Sequence, residues 1–146
     1  MTGAEVRDVE AADHPEWHRM WLAYCALYGV SQPAEDDREL WRRIIEPDYP
    51  MGTLVCGAPL VGFANYVLRP HTFSSRMVCY LEDLWVEPSA RGARWGQKLI
   101  EALVARGRDR GWRRIYWHTE ADNPARRLYD RAARLTDYVR YDISLP

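Results

Sequence analysis

Glu82 and Asp83 are adjacent carboxylates inside an apolar run, Tyr80-Leu81-Glu82-Asp83-Leu84-Trp85-Val86. Side chains alternate along a strand, so Glu82 is expected to share a face with Tyr80, Leu84 and Val86. Asp83 is then expected to point the other way, with Leu81 and Trp85. A carboxylate among apolar neighbours is poorly solvated, its pKa rises, and it suits the work of a base near neutral pH. The competing role for both acids is simple pairing with arginines. Directly after this run comes Arg91-Gly92-Ala93-Arg94-Trp95-Gly96-Gln97. A strand, a basic glycine loop and a helix start, in that order, present unpaired backbone N–H groups and the positive end of a helix dipole. That arrangement holds a pyrophosphate, so a phosphorylated cofactor beside a base is expected.

Other residues carry weaker signals. Glu35-Asp36-Asp37 would serve either a cationic ligand or the N-terminal charge of a helix. Lys98, the only lysine, reaches either a phosphate or solvent. Asn123 is a good N-cap before Pro124. His14 and His18 are four apart, but no acidic ligand pattern follows, so no metal is expected. Cys25, Cys56 and Cys79 form no CxxC pair and read as buried, reduced thiols. A lysine-containing P-loop is absent, which argues against nucleoside triphosphate hydrolysis.

The elements that must position these groups follow from periodicity. A first strand is expected over Ala4–Ala11, then a helix capped by Asp13 with Trp17, Met20, Trp21, Tyr24, Cys25 and Tyr28 at helical spacing, ending at Gly29. A second helix carries Leu40, Trp41, Ile44 and Ile45 and stops before Pro47. Strands are expected at Thr53–Cys56, Leu60–Leu68 and Met77–Val86, with turns at Gly57-Ala58-Pro59 and Ser74–Ser75. A helix after Gly96 buries Leu99, Ile100, Leu103 and Val104. Arg114–Thr119 is a strand, the helix after Asn123 carries Leu128, Ala132 and Leu135, and Tyr138–Leu145 is a closing strand. This is a mixed α/β domain.

The 146 residues suit one domain spanning the whole chain. Hydrophobic residues make up 47% and charged ones 28%, ordinary for a globular protein. No apolar run nears the roughly 20 residues that cross a bilayer, and the N-terminal stretch lacks a signal-peptide pattern, so a cytoplasmic location is expected. The net charge of -1 is uneven: residues 1–60 carry eleven acids against five arginines, and the remainder carries ten acids against fifteen bases. A polyanion would then meet the C-terminal half, the alternative being a mixed, solvated surface. No dense basic patch with interleaved aromatics points to nucleic acid.

Arg91-Gly92-Ala93-Arg94-Trp95-Gly96 resembles the Arg/Gln-x-x-Gly-x-Gly/Ala loop of the GNAT superfamily of acetyl-CoA-dependent N-acetyltransferases. Asn123-Pro124-Ala125-Arg126-Arg127-Leu128-Tyr129 is similar to a later helix of that family in order and spacing. The likeness covers roughly Val61–Tyr141. Val61-Gly62-Phe63-Ala64 with Tyr80–Val86 looks like the spermidine/spermine N-acetyltransferase branch. The resemblance implies a mostly antiparallel central sheet flanked by helices, splayed at the cofactor site, and acetyl-CoA as cosubstrate without a metal. It implies Glu82 as a water-mediated base, Tyr129 as the acid to the departing CoA thiolate, and Asp83, Glu35 and Asp36 near a cationic acceptor. Leu84, Trp85 and Val86 would meet the pantetheine arm. Arg91 to Gln97 would hold the pyrophosphate, with Asn123 and Arg126 beside the cofactor. Acceptors in that reading are small primary amines, with no nucleic acid or membrane partner, and a homodimer follows by analogy. A non-catalytic acyl-CoA-binding module and a protein amine acetyltransferase are the alternatives. One departure stands out: Arg94 occupies a position where the family usually has Gly.

Overall fold

The computed structural model describes residues 5–146. Its sheet has five strands in the order β1 (Val6–Asp8), β2 (Met51–Cys56), β3 (Gly62–His71), β4 (Ser74–Val86) and β5 (Arg114–Tyr116). The first three pairings are antiparallel and β4–β5 is parallel, so the mixed, mostly antiparallel sheet is present. Four α-helices flank it: α1 (His14–Leu27), α2 (Ala34–Ile45), α3 (Trp95–Arg110) and α4 (Arg126–Ala132).

Burial on both faces of β2 and β3 explains why these strands read as near-continuous apolar runs. On one face, Val55, Phe63 and Trp85 pack with Trp17, Met20, Trp21 and Cys25 of α1 and Ile44 of α2. Trp17 is fully buried and stacks on Trp21 with centroids 5.8 Å apart. On the other face, Leu54, Cys56, Ala64, Cys79 and Leu81 pack with Leu99, Ile100 and Leu103 of α3. Removing a ring of that kind, as in Trp17→Ala, costs about 3–5 kcal/mol through lost burial and the cavity left behind. The three cysteines are buried free thiols. Among the described residues no helix is long and apolar enough to cross a membrane.

Several expected elements are shifted. The first strand is only Val6–Asp8, and Ala4 lies outside the described residues. Asp13 does not cap α1 with its side chain. It accepts from the Glu10 N–H at 2.7 Å and closes a short 3-10 turn at Ala11–Asp13 instead. The β3–β4 hairpin turns at Thr72–Phe73, with Ser74 already paired to His71. β5 ends at Tyr116 rather than Thr119, because its pairing with β4 stops at Tyr80. α4 ends at Ala132, leaving Leu135 exposed. Residues 138–145 form no strand, because they lie against no partner strand.

Candidate active site

The register of β3 on β4 breaks at the two acids. Asn65 pairs with Asp83 and Tyr66 with Leu81, so Glu82 has no opposite residue and forms a β-bulge. The bulge corrects the simple alternation expected from sequence. Leu81 packs on the α3 side with Cys79, whereas Trp85 packs on the α1–α2 side, four residues away in the same strand. Leu84 and Val86 line the α3 side. Asp83 therefore does not share a face with Leu81. It follows Trp85, and Glu82 is aimed by the bulge.

Neither acid has an arginine partner among the described residues. Burial, and then the neighbouring Asp83 charge, push the Glu82 carboxyl above its ordinary value. Burial also raises Asp83, opposed by hydrogen bonds from Asn65 and Tyr24. Asn65 Nδ2 donates to Asp83 at 3.1 Å, and Thr53 Oγ1 donates to Asn65 Oδ1 at 2.6 Å. Thr53 and Asn65 are themselves buried, so this chain of neutral donors fixes Asp83 without neutralising it.

Two clefts meet here. The larger, about 710 Å³, is bordered by Tyr80, Glu82, Leu84, Trp117, Asn123 and Tyr129, among others. The smaller, about 530 Å³, is bordered by Trp21, Asp36, Glu39, Arg43, Glu82 and Asp83, among others. Tyr24, Tyr28 and Glu82 belong to both. Tyr129 sits on α4 with its ring edge-on to Trp117 at 5.4 Å, and burial, then Tyr28, raise its phenol. Asp36 reaches the smaller cleft, but Glu35 borders neither and is exposed in the first turn of α2. Asp37 receives the Trp21 indole N–H at 3.0 Å.

The residues expected to hold the pyrophosphate, Arg91–Gln97, lie between the end of β4 and the first turn of α3. From Leu81 to Val86, β4 is paired with β3 on one side and with no strand on the other, which is the expected splay. Leu84, Trp85 and Val86 thus offer a free backbone edge, although Arg91 Nε already donates to the Val86 carbonyl at 3.1 Å. The Arg91 guanidinium also lies 5.4 Å from the Trp85 ring centroid. Trp85 points its side chain into the α1–α2 core, and its indole Nε1 has no hydrogen-bond partner among the described residues.

Gly92 has a φ of +99 and open space where a Cβ would stand, and Ala93 continues the exposed loop. Arg94 adopts φ 62 and ψ 27, a left-handed conformation immediately before α3. Trp95, Gly96 and Gln97 open the helix, so their N–H groups lack intrahelical acceptors. A Cβ on Gly96 would meet Leu128 at 3.1 Å, so this glycine lets α3 approach α4 closely. A free strand edge leading to an open, basic helix start fits an extended, diphosphate-bearing group such as acetyl-CoA. Lys98 instead pairs with Glu5 at 2.9 Å. Asn123 accepts from the Ala125 N–H at 2.9 Å and donates to Thr119 at 2.8 Å, organising the turn before α4. Arg126 donates to the Ala121 carbonyl at 2.6 Å.

Sequence reasoning missed Tyr28, Asn65, Trp117 and His118 as site-lining or supporting residues. The pair Tyr24 and Tyr28, four apart on α1, was a signal for one aromatic face. Asn65 in an apolar strand was a second signal, since a buried amide needs partners.

Residues 14–133 match the sequence profile of the acetyltransferase (GNAT) family. The chain is 30% identical over 141 residues to the D-amino-acid N-acetyltransferase HPA3 of Saccharomyces cerevisiae, covering 93% of this chain and 88% of that one. Among solved structures, a ribosomal-protein-alanine N-acetyltransferase from Brucella melitensis biovar Abortus 2308 is similar with a TM-score of 0.79 at 20% identity, over 97% of this chain and 99% of that one. An aminoglycoside acetyltransferase, meta-AAC0020, from an uncultured soil metagenomic sample is similar with a TM-score of 0.82 at 17% identity, over 97% and 96%. At these identities the two structures share the fold.

Proposed function

The chain belongs to the GNAT family of acetyl-CoA-dependent N-acetyltransferases, and from that premise we propose that it acetylates a primary amine of a small molecule with Glu82 as base and Tyr129 as acid. The observation that carries this reading is the position of Glu82. It sits in a bulge, borders both clefts and has no cationic partner.

Acetyl-CoA supplies the acetyl group as a thioester. The free edge of Leu84–Val86 and the loop Arg91–Gln97 hold the arm and the diphosphate. An alkylamine is mostly protonated at pH 7, and stripping its proton costs about 4–5 kcal/mol. Glu82 takes that proton, directly or through water, and its raised pKa brings it nearer the working pH. Tyr129 borders the larger cleft, where its phenol donates a proton to the departing sulfur. Asp83 and Asp36 make the smaller cleft suited to a cationic acceptor. Glu35 has no part in this reading. The relative that acts on D-amino acids supports an acceptor of amino-acid size. We also infer a homodimer.

A thiol-release assay with acetyl-CoA tests the reading against polyamines, D- and L-amino acids, aminoglycosides and a basic peptide. Release with a small amine is expected, and its loss in Glu82→Gln fixes the base. Release with the peptide alone would turn the reading to protein amines. No release, with calorimetric acetyl-CoA binding intact, would make the chain a binding module.

A further inference from the structure

We propose that Arg43 anchors a carboxylate on the acceptor, so that the amine acetylated is that of a free amino acid rather than of a polyamine or a simple alkylamine. This rests on the reading of Glu82 and Asp83 as the end of the smaller cleft that receives the amine.

The lining of that cleft carries both signs of charge. Asp36, Glu39, Glu82 and Asp83 bring carboxylates, and Arg43 is the one cation on it among the described residues. The order of charge along α2 places them. Its first turn holds Glu35, Asp36 and Asp37 and its last turn Arg42 and Arg43, the distribution that the helix dipole favours. Asp36 and Arg43 are two turns apart, so they share a face and are separated by about 10 Å along the axis. One wall of the cleft therefore runs from negative to positive.

The fold does not use up Arg43. Its Nε donates to Glu39 at 2.8 Å, and neither Nη nitrogen has an acceptor among the described residues. Glu39 also receives Arg42 Nε and Nη2, at 3.0 and 2.8 Å, so it stays held when Arg43 turns to a ligand. The outer edge of a guanidinium, Nη1 with Nη2, matches the two oxygens of a carboxylate. Arg43 lies beyond ion-pair distance of Glu82 and Asp83, although all three border one cleft. Opposite charges that line a cleft without touching are bridged by a molecule carrying both. Its ammonium goes to the acids of β4 and its carboxylate to Arg43. Trp21, Tyr24 and Leu40 supply apolar wall for its side chain. A polyamine would instead bring a second ammonium into a cleft with a guanidinium on its wall, and an alkylamine would leave Arg43 without a partner.

The test uses the full chain and pairs of acceptors that differ only in the carboxylate: alanine with ethylamine, phenylalanine with phenethylamine, and lysine with cadaverine. The amino acids are supplied in both hands. In at least one pair, wild-type kcat/KM is expected to be about 10- to 100-fold higher for the amino acid. In Arg43→Gln that ratio should fall towards one, through KM rather than kcat, and Arg43→Lys should restore part of it. Arg42→Gln also loosens Glu39 but lies off the cleft, and is expected to keep the wild-type ratio. Calorimetry with the same probes on CoA-loaded protein reads binding without chemistry and should give the same order. A wild type that takes the amine as well as the amino acid in every pair would overturn the proposal and leave Glu82 standing as base. So would an Arg43→Gln ratio equal to that of the wild type, or an equal fall in Arg42→Gln. An amino acid bound through Arg43 but turned over equally by wild type and Glu82→Gln would keep Arg43 and remove Glu82. No member of any pair bound or turned over would overturn both.

Discussion

Two acidic corners of this molecule are built from similar residues and held in opposite ways. At the first, Asp13 receives both guanidinium nitrogens of Arg7, at 2.8 and 2.9 Å, and the Glu10 N–H. The Arg7 hydrogen bonds hold its carboxyl below the ordinary value. At the second, Asp83 receives only neutral donors and Glu82 has no paired cation, and burial lifts both above the ordinary range. Residues 61–146 hold fourteen arginines and one lysine; the fold nevertheless leaves two carboxylates unneutralised on a bulged strand. Charge arranged for stability is paired, and charge kept for chemistry is held without a counter-ion.

The largest test of that contrast is Glu82→Gln. It removes the proposed base while keeping the shape, and kcat is expected to fall by roughly 10²–10⁴-fold. The wild-type rate is expected to rise with pH through a carboxylate pKa above the ordinary Glu value, and this limb should vanish in the variant. A limb that persists would assign it to Asp83 or to the substrate. Stability moves the other way. A carboxylate whose pKa is raised in the folded state weakens folding as pH climbs from its unfolded value through the folded one. Glu82→Gln is therefore expected to leave stability at pH 7 equal or higher, as read by urea unfolding.

Asp13→Asn should do the reverse. It breaks a charge-assisted, bidentate pair, with an expected loss of about 1–2 kcal/mol, since Arg7 stays partly exposed and is rehydrated. Turnover should change little. The pH sign is also opposite: a depressed carboxylate adds stability above its unfolded pKa, near 3.9, and loses it as pH falls through the lower folded value. Urea midpoints of the wild type and variant should converge in acid. Midpoints that differ equally at pH 7 and in acid would show that packing, not the ion pair, is what Asp13 supplies.

The same contrast explains what sequence could and could not reveal. The α1 and α3 stripes, the β2–β4 core and the loop before α3 were legible because each follows a local period or a local composition. That Glu82 is a carboxylate raised by burial was legible from its apolar surroundings. Its direction was not, because a bulge depends on how Asn65 and Tyr66 register against Asp83 and Leu81, which is a cross-strand property. Asp13 looked like a helix cap and became an ion-pair partner for the same reason: Arg7 is brought to it by the first strand. The end of β5 and the fate of residues 138–145 depend on which edges find partners. Glu35 reads like Asp36 in sequence, and only helical geometry separates the one that reaches a cleft from the one that faces solvent.

Arg94 is the third kind of charge, one whose backbone is strained. An L-residue at φ 62 carries a cost of about 1–2 kcal/mol that glycine avoids. Arg94→Gly is therefore expected to raise stability by about 1 kcal/mol, or a Tm gain of roughly 3 °C for a chain of this size. If the strain is kept for function, the guanidinium grips the diphosphate. A charge-assisted contact of that kind, at about 1.5 kcal/mol or more, makes Arg94→Gly bind acetyl-CoA roughly 10-fold more weakly. Calorimetry and thermal unfolding on one preparation read both numbers. Higher stability with weaker binding places Arg94 beside Glu82, as a residue held against its own local preference for the sake of a ligand. Higher stability with unchanged binding places it with neither corner, and the ordinary glycine of this loop would then serve the fold better.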